Sequence, residues 1–368
     1  MAAGFAQVSG AVTDERGVLH FGQPFAEQRA LASGSSIVPL GDRRVLAVAG
    51  EDRLSWLDSL TSQAVASLAP GASTELLVLD PNGRIEHAAS VLDDGETTWL
   101  IVDAGDADGL LAWLMRMRFR LRVAPRDASD DYAVIGGAEA ALATVSPASP
   151  SGVPLVWHDP WPTVGVGGHA YAMVEPHPGV DRDWSEAIVT RVEEERLADA
   201  AARGEIVLAG LIAADALRVA AWRPRWSAEV DERALPHESD WLRTAVHLSK
   251  GCYRGQETVA KVHNLGHPPR RLVALSLDGS DNRLPVAGAD VRLGDDSVGT
   301  VTSVAQHYEE GPIALAIVRR TTPVDAPLVV DTEDGPVAAT QEIIVPPEAG
   351  ATASVPRITR LSRRPLAK

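Results

Sequence analysis

Apolar residues recur along this chain in two textures, and the change between them divides it. From Asp52 onward Leu54, Leu57, Leu60 and Val65 stand at helical spacing, which predicts a helix capped by Asp52. Glu75-Leu76-Leu77-Val78-Leu79 is a short apolar run that predicts a buried strand. Asp80-Pro81-Asn82-Gly83 follows, with the residues a type I turn prefers at its first, second and fourth positions. Strands at Ile85 to Leu92 and Trp99 to Val102 complete a meander. Leu110, Leu111, Leu114 and Met117 then mark an amphipathic helix, with another strand expected at Leu121-Arg122-Val123. Strands followed by a helix predict an α+β layer.

The order recurs. Ala133-Val134-Ile135 and Ala170 to Val174 read as strands, Trp184 to Ala202 as a long helix, and Leu208 to Ala221 as a second helix ending before Pro224. Past Arg271 the texture becomes all-β. Leu272–Leu277, Val291–Leu293, Ser297–Val304, Ile313–Val318, Leu328–Val330 and Val337–Val345 are short runs separated by Gly, Asp and Pro turns, which predicts a small barrel. The expected divisions are an α+β lobe over 1–130, a second over 131–268, a barrel over 269–347 and a basic mobile tail over 348–368.

Composition narrows the function classes. A formal charge of -16 with a pI near 5.0 argues against general affinity for nucleic acid or anionic lipid. No run approaches the ~20 apolar residues of a membrane span, and the first 30 residues carry Asp14, Glu15 and Arg16. A soluble, cytoplasmic protein is expected. A single cysteine among 368 residues cannot form an internal disulfide or hold an iron–sulfur cluster alone. His263 and His267 lie four apart, but Pro268 and Pro269 argue that the helix has ended, so no metal site is expected.

That cysteine sits in Lys250-Gly251-Cys252-Tyr253-Arg254-Gly255-Gln256-Glu257. Two glycines permit tight turns, and Gln256 and Glu257 suit the first turn of a helix. A thiol just before a helix N-terminus, with Lys250 and Arg254 two residues away on either side, is placed to favour the thiolate. A lone buried cysteine acting as a small hydrophobe is the plainer alternative. From Lys250 to Arg271 there are five Lys or Arg and one Glu, a local balance of +4 that could draw an anionic ligand. Trp222-Arg223-Pro224-Arg225-Trp226 adds two forked donors beside indoles.

The eight-residue motif resembles the K-G-C-Y-x-G-Q-E signature of the YgfZ family of tetrahydrofolate-binding proteins, related to the T-protein, the aminomethyltransferase of the glycine cleavage system. The resemblance extends, more weakly, from about residue 35 to about 345. It implies two ferredoxin-like α+β lobes of the aminomethyltransferase type and a C-terminal small β-barrel. It also implies tetrahydrofolate, or a one-carbon derivative, as cofactor, and iron–sulfur enzymes or cluster-assembly proteins as partners. Cys252 would be the reactive group, with the folate near Arg223, Lys250, Tyr253, Arg254, Gln256 and Glu257. The sequence departs from the aminomethyltransferase pattern where an acidic pair would fall, at His87 and Ala88, and where the pterin-holding Glu would fall, at Ala172. Proton transfer needs a group to carry the proton. An accessory protein is therefore expected, against two alternatives: a one-carbon transferase or demethylase using Glu86 or His87 as base, and a scaffold that has lost its ligand.

Overall fold

A computed structural model describes residues 4–280 and 283–353. The basic stretch from Arg357 to Lys368 lies outside the described residues. In chain order the strands are β1 (Val12–Asp14), β2 (Gly17–His20), β3 (Ile37–Pro39), β4 (Arg43–Ala49), β5 (Ser73–Leu79), β6 (Ile85–Asp93), β7 (Thr97–Asp103), β8 (Ala124–Asp127), β9 (Tyr132–Gly137), β10 (Val156–His158) and β11 (Ser185–Thr190). The later strands are β12 (Arg270–Leu277), β13 (Asp290–Leu293), β14 (Asp296–His307), β15 (Gly311–Arg319), β16 (Leu328–Val330) and β17 (Val337–Ile343). The helices are α1 (Pro24–Ala32), α2 (Arg53–Leu60), α3 (Ala107–Met117), α4 (Glu139–Leu142), α5 (Arg191–Ala202), α6 (Leu211–Ala220), α7 (Trp226–Glu229) and α8 (Gln256–Leu265).

Two antiparallel sheets and a barrel organise the chain. The first sheet runs β5-β6-β7-β4-β8 and the second β10-β11-β9-β3. Side chains alternate across each strand, so each sheet has two buried faces. Val78, Val91, Leu100 and Val102 pack on α2 and α3, while Val45, Leu92, Trp99 and Ile101 meet Val134, Trp157 and Ile188 of the second sheet. The second sheet's other face, with Ile135, Ala187 and Val189, covers Leu197 and Ala198 of α5. β12-β15-β14-β13-β16-β17 close into a barrel filled by Val273, Val291, Val301, Ala316 and Val330. The predicted α+β fold with a terminal barrel is the observed one.

Four local readings change. The strand expected at Leu121–Val123 is irregular, and β8 begins only at Ala124. Asp52 makes no capping bond to α2; its carboxylate takes the backbone N–H and guanidinium of Arg122 instead. Trp184–Ala202 is not one helix: Ser185–Thr190 forms β11, and Thr190 then caps α5 by accepting from the Glu193 N–H. Ala170–Val174 is not a strand, because the Tyr171 N–H donates to the Asp240 carboxylate at 2.5 Å rather than to a neighbouring strand. In addition, β3 pairs with β9, so the second sheet draws a strand from the first forty residues.

Asp240 carries a pH prediction. It is fully buried, with its backbone left-handed at φ 57°, and its Oδ2 has no hydrogen-bond partner. Burial pushes its pKa up to about 7, against the pull of the Tyr171 N–H and of Arg243 3.8 Å away. The folded state then holds a proton that the unfolded chain has released, so this group lowers stability as pH rises from about 4 to about 7. Asp240→Asn, neutral and tolerant of the left-handed region, removes that loss. Relative to wild type it should gain on the order of 2 kcal/mol between pH 5 and 8, measured by urea denaturation. His237 and His177, both pushed down to about 4 by burial, add a rise with pH that is common to the two proteins and cancels. A pH-independent difference would show that Asp240 is ionised throughout.

Candidate functional site

The motif loop is built onto the first sheet. Gly255 has φ 85°, and a Cβ there would lie 2.6 Å from the Asp80 carbonyl oxygen and 3.0 Å from the Gly83 Cα. The loop and the β5–β6 turn thus touch backbone to backbone, a contact only glycine allows. Lys250 anchors the entry to the loop. Its ammonium donates to the carbonyls of Asp58, in the last turn of α2, and of Thr61 and Gln63 just past it, at 2.5, 2.9 and 2.7 Å, where a cation is favoured. Arg254 anchors the exit, pairing with Glu86 of β6 at 2.5 Å. Tyr253 is buried among Leu79, Ile85, Trp222 and Val259, and Gln256 donates to the Lys250 carbonyl. Between these anchors Cys252 is free and exposed.

The expected site residues therefore separate. Lys250, Tyr253, Arg254 and Gln256 hold the loop, and the two cations flanking the thiol are engaged by the first sheet and the end of α2. Glu257 is exposed at the start of α8. Arg223 is fully enclosed: its guanidinium donates to Glu75 at 3.1 and 2.7 Å, pairs with Asp159 at 3.1 Å, and lies 5.0 Å over the Trp161 ring. Arg225 is held by Asp42 and Asp103. Burial raises the Asp103 carboxyl, but Arg43 and Arg225 outweigh it and hold it well below the usual carboxylate range.

These ion pairs, with Trp157, Trp184 and Trp241, fill the gap between the sheets and leave about 70 Å³. A ligand pocket needs about 300–1,000 Å³. Tetrahydrofolate does not fit there. The larger opening is a cleft of about 1130 Å³ between α7, the ends of β3 and β7, and the barrel wall along β14. Asp42 lines it, and the Asp42 Oδ1 is buried without a hydrogen-bond partner. A carboxylate oxygen is the partner that the N–H edge of a pterin requires. Arg16, Arg233 and Arg319 line the same cleft and are exposed there, the Arg16 guanidinium bonded to Asp14 at 2.9 Å. Forked cations of this kind suit a glutamyl tail. This cleft has the volume, the carboxylate and the guanidinium groups that tetrahydrofolate would need, beside the further acids Glu15, Asp215 and Asp231, and none of the residues from Lys250 to Glu257 lines it.

The positions of the missing acids are also placed. Ala88 lines the residual gap between the sheets, and no carboxylate stands at that position. His87, on the opposite face of β6, bonds Asp106 at 2.5 Å and faces Trp113 of α3. Ala172 follows Tyr171 in the irregular segment held by Asp240. His263 meets the Tyr171 hydroxyl at 3.0 Å, while His267 meets the Ala349 carbonyl, so the two histidines serve different partners. Asp42 was not legible in advance, because its significance depends on Arg225 folding in from far along the chain to take one carboxylate oxygen and leave the other.

Among the described residues no helix is long and apolar enough to cross a membrane. No protein-family model matches the chain. It is 27% identical over 312 residues to an aminomethyltransferase of Streptomyces avermitilis, covering 82% of each protein. Over 117 residues it is 31% identical to a mitochondrial iron–sulfur cluster assembly factor of Mus musculus, covering 30% of each. Among solved structures, the glycine cleavage system aminomethyltransferase T of Bartonella henselae superposes with a TM-score of 0.69 at 17% identity, covering 90% of this chain and 92% of that one. The chain has the aminomethyltransferase fold, with sequence similarity to aminomethyltransferases along most of its length.

Proposed function

We propose that this protein is an accessory factor for iron–sulfur enzymes, with Cys252 as its working group and tetrahydrofolate as its ligand. The observation that carries the reading is the exposed thiol on a loop fixed at both ends by Lys250 and Arg254. The similarity to a mitochondrial iron–sulfur cluster assembly factor supports it. Tetrahydrofolate, when bound, supplies a carrier for one-carbon groups. In this reading Asp42 receives its pterin edge, and Arg16, Arg233 and Arg319 receive its carboxylates. The thiol has no part in holding it.

The alternative, a folate-dependent one-carbon transferase, draws on the similarity to aminomethyltransferases and requires Glu86 or His87 as base. Glu86 is engaged by Arg254, and His87 is turned beneath α3 onto Asp106. Neither reaches the cleft.

Cys252→Ser should abolish support of iron–sulfur enzymes in cells while changing stability by no more than ~0.5 kcal/mol, as expected of an exposed site. Full support by the serine variant overturns the reading. Purified protein should release no ammonia from an aminomethyl-lipoyl carrier in the presence of tetrahydrofolate. Turnover on the order of 1 s⁻¹ or faster would put the transferase in its place. In a tetrahydrofolate titration, Asp42→Ala should weaken binding about ten-fold, the value of one charge-assisted hydrogen bond. Unchanged affinity removes the ligand from this cleft.

A further inference from the structure

We infer that the tip between α3 and β8 is a docking surface for an acidic segment of a partner protein. Its sequence, Met115-Arg116-Met117-Arg118-Phe119-Arg120-Leu121-Arg122, alternates apolar and cationic residues. α3 ends at Met117, whose carbonyl accepts from the Trp56 indole, so the chain beyond it projects from a fixed base. Phe119 at the tip is 80% exposed, and Leu121 and Met115 are also exposed. Arg118 and Arg120 flank Phe119 and are exposed, and neither forms an ion pair among the described residues. Arg122 is different: it is held by Glu51 and Asp52, which neutralises the acids nearest the tip. A shallow hollow of about 550 Å³ lies between the tip and Ala49-Gly50-Glu51.

Phe119 has φ 45°, a left-handed conformation that is costly for a bulky side chain. A strained, exposed phenyl between two free guanidinium groups contributes nothing to the core. Arginine and aromatic residues are the side chains that dominate binding interfaces, and arginine grips carboxylates through a fixed fork. Charge complementarity selects the partner. In a chain of net charge -16, the three exposed cations Arg116, Arg118 and Arg120 offer an anionic membrane too little attraction to hold it. Single-stranded nucleic acid takes successive aromatics along a basic groove, and this tip has one. An acidic protein segment with an apolar residue for the hollow matches both the charge and the shape. This surface is independent of the thiol, and Cys252→Ser leaves it intact.

The test is fluorescence anisotropy of the full chain with a labelled short peptide alternating Glu and Leu. Saturable binding that weakens with added salt is expected. Arg118→Gln with Arg120→Gln should weaken it by about ten-fold or more, leaving the helix-end Arg116 in place. Phe119→Gly should also weaken binding, yet unfold at the wild-type temperature or above because the strain is relieved. No binding by wild type, equal binding by the double variant, or binding of phosphatidylserine vesicles or polyuridylate in preference to the peptide would overturn the inference. A Phe119→Gly chain that unfolds well below wild type would assign the phenyl a structural role and count against it.

Discussion

Arg223→Ala is expected to cost ~3–5 kcal/mol of stability, the loss that follows when one partner of a buried ion pair is removed. The reason is what the arginine leaves behind. Glu75 is 4% exposed and accepts from the Trp241 indole at 3.2 Å and from the Thr244 hydroxyl as well as from Arg223. Asp159 keeps Arg182 as a partner, at 3.0 Å, but loses its second cation. Glu75 would lose its cation and Asp159 would keep only Arg182, so two buried carboxylates would be left with one guanidinium between them. Arg223→Lys should fall between wild type and Ala, because an ammonium keeps the charge but cannot make the two parallel bonds to Glu75. Urea denaturation measures both. A loss under ~1 kcal/mol for Ala would mean that the site admits water or rearranges, and the gap would then be open to ligand after all. The prediction thus bears on function: an arginine that looks like a ligand group in sequence is here part of what fills the gap between the sheets.

The same segment shows why some features were legible and others were not. The barrel strands could be read because each carries its own signal, β-branched or apolar residues bounded by turn formers within about ten residues. The Lys250–Glu257 loop was legible as a special place because two glycines and one cysteine stand together, and the structure gives one of those glycines a positive φ against Asp80. β11 was missed because the Glu/Arg/Ala run of α5 begins one residue after it and dominates any helical window; the single capping residue Thr190 is the only local boundary. Asp42 could not be read at all, and Arg223 and Arg225 could be read only as forked donors, not as engaged ones. Their partners Glu75, Asp159, Asp42 and Asp103 come from different sheets and loops, so whether each charge is free or engaged is decided by tertiary pairing. Local charge counts measure neither.

Lys250→Met should cost ~2–4 kcal/mol and also impair the thiol's work, which separates it from Cys252→Ser. The Lys250 side chain is 3% exposed, and its three donors go to three carbonyls that converge at the C-terminal end of α2. Burial lowers its pKa, with Asp58 at 3.5 Å opposing, yet the ammonium is what the carbonyls need. Methionine preserves the packing of the stem but leaves those oxygens without a donor, and each unsatisfied buried acceptor costs ~1–3 kcal/mol before relaxation. Lys250→Arg should not rescue, because a planar fork cannot aim at three carbonyls around one point. With the entry to the loop released, Cys252 keeps its sulfur but loses its fixed position. Modification of the thiol by a disulfide reagent should therefore change in rate, and support of iron–sulfur enzymes should fall, in a chain that still contains the cysteine. Cys252→Ser shows the converse, lost support at wild-type stability. If Lys250→Met matched wild type within ~0.5 kcal/mol and supported the enzymes fully, the loop would not depend on its anchor, and exposure alone would have to account for any role of the thiol.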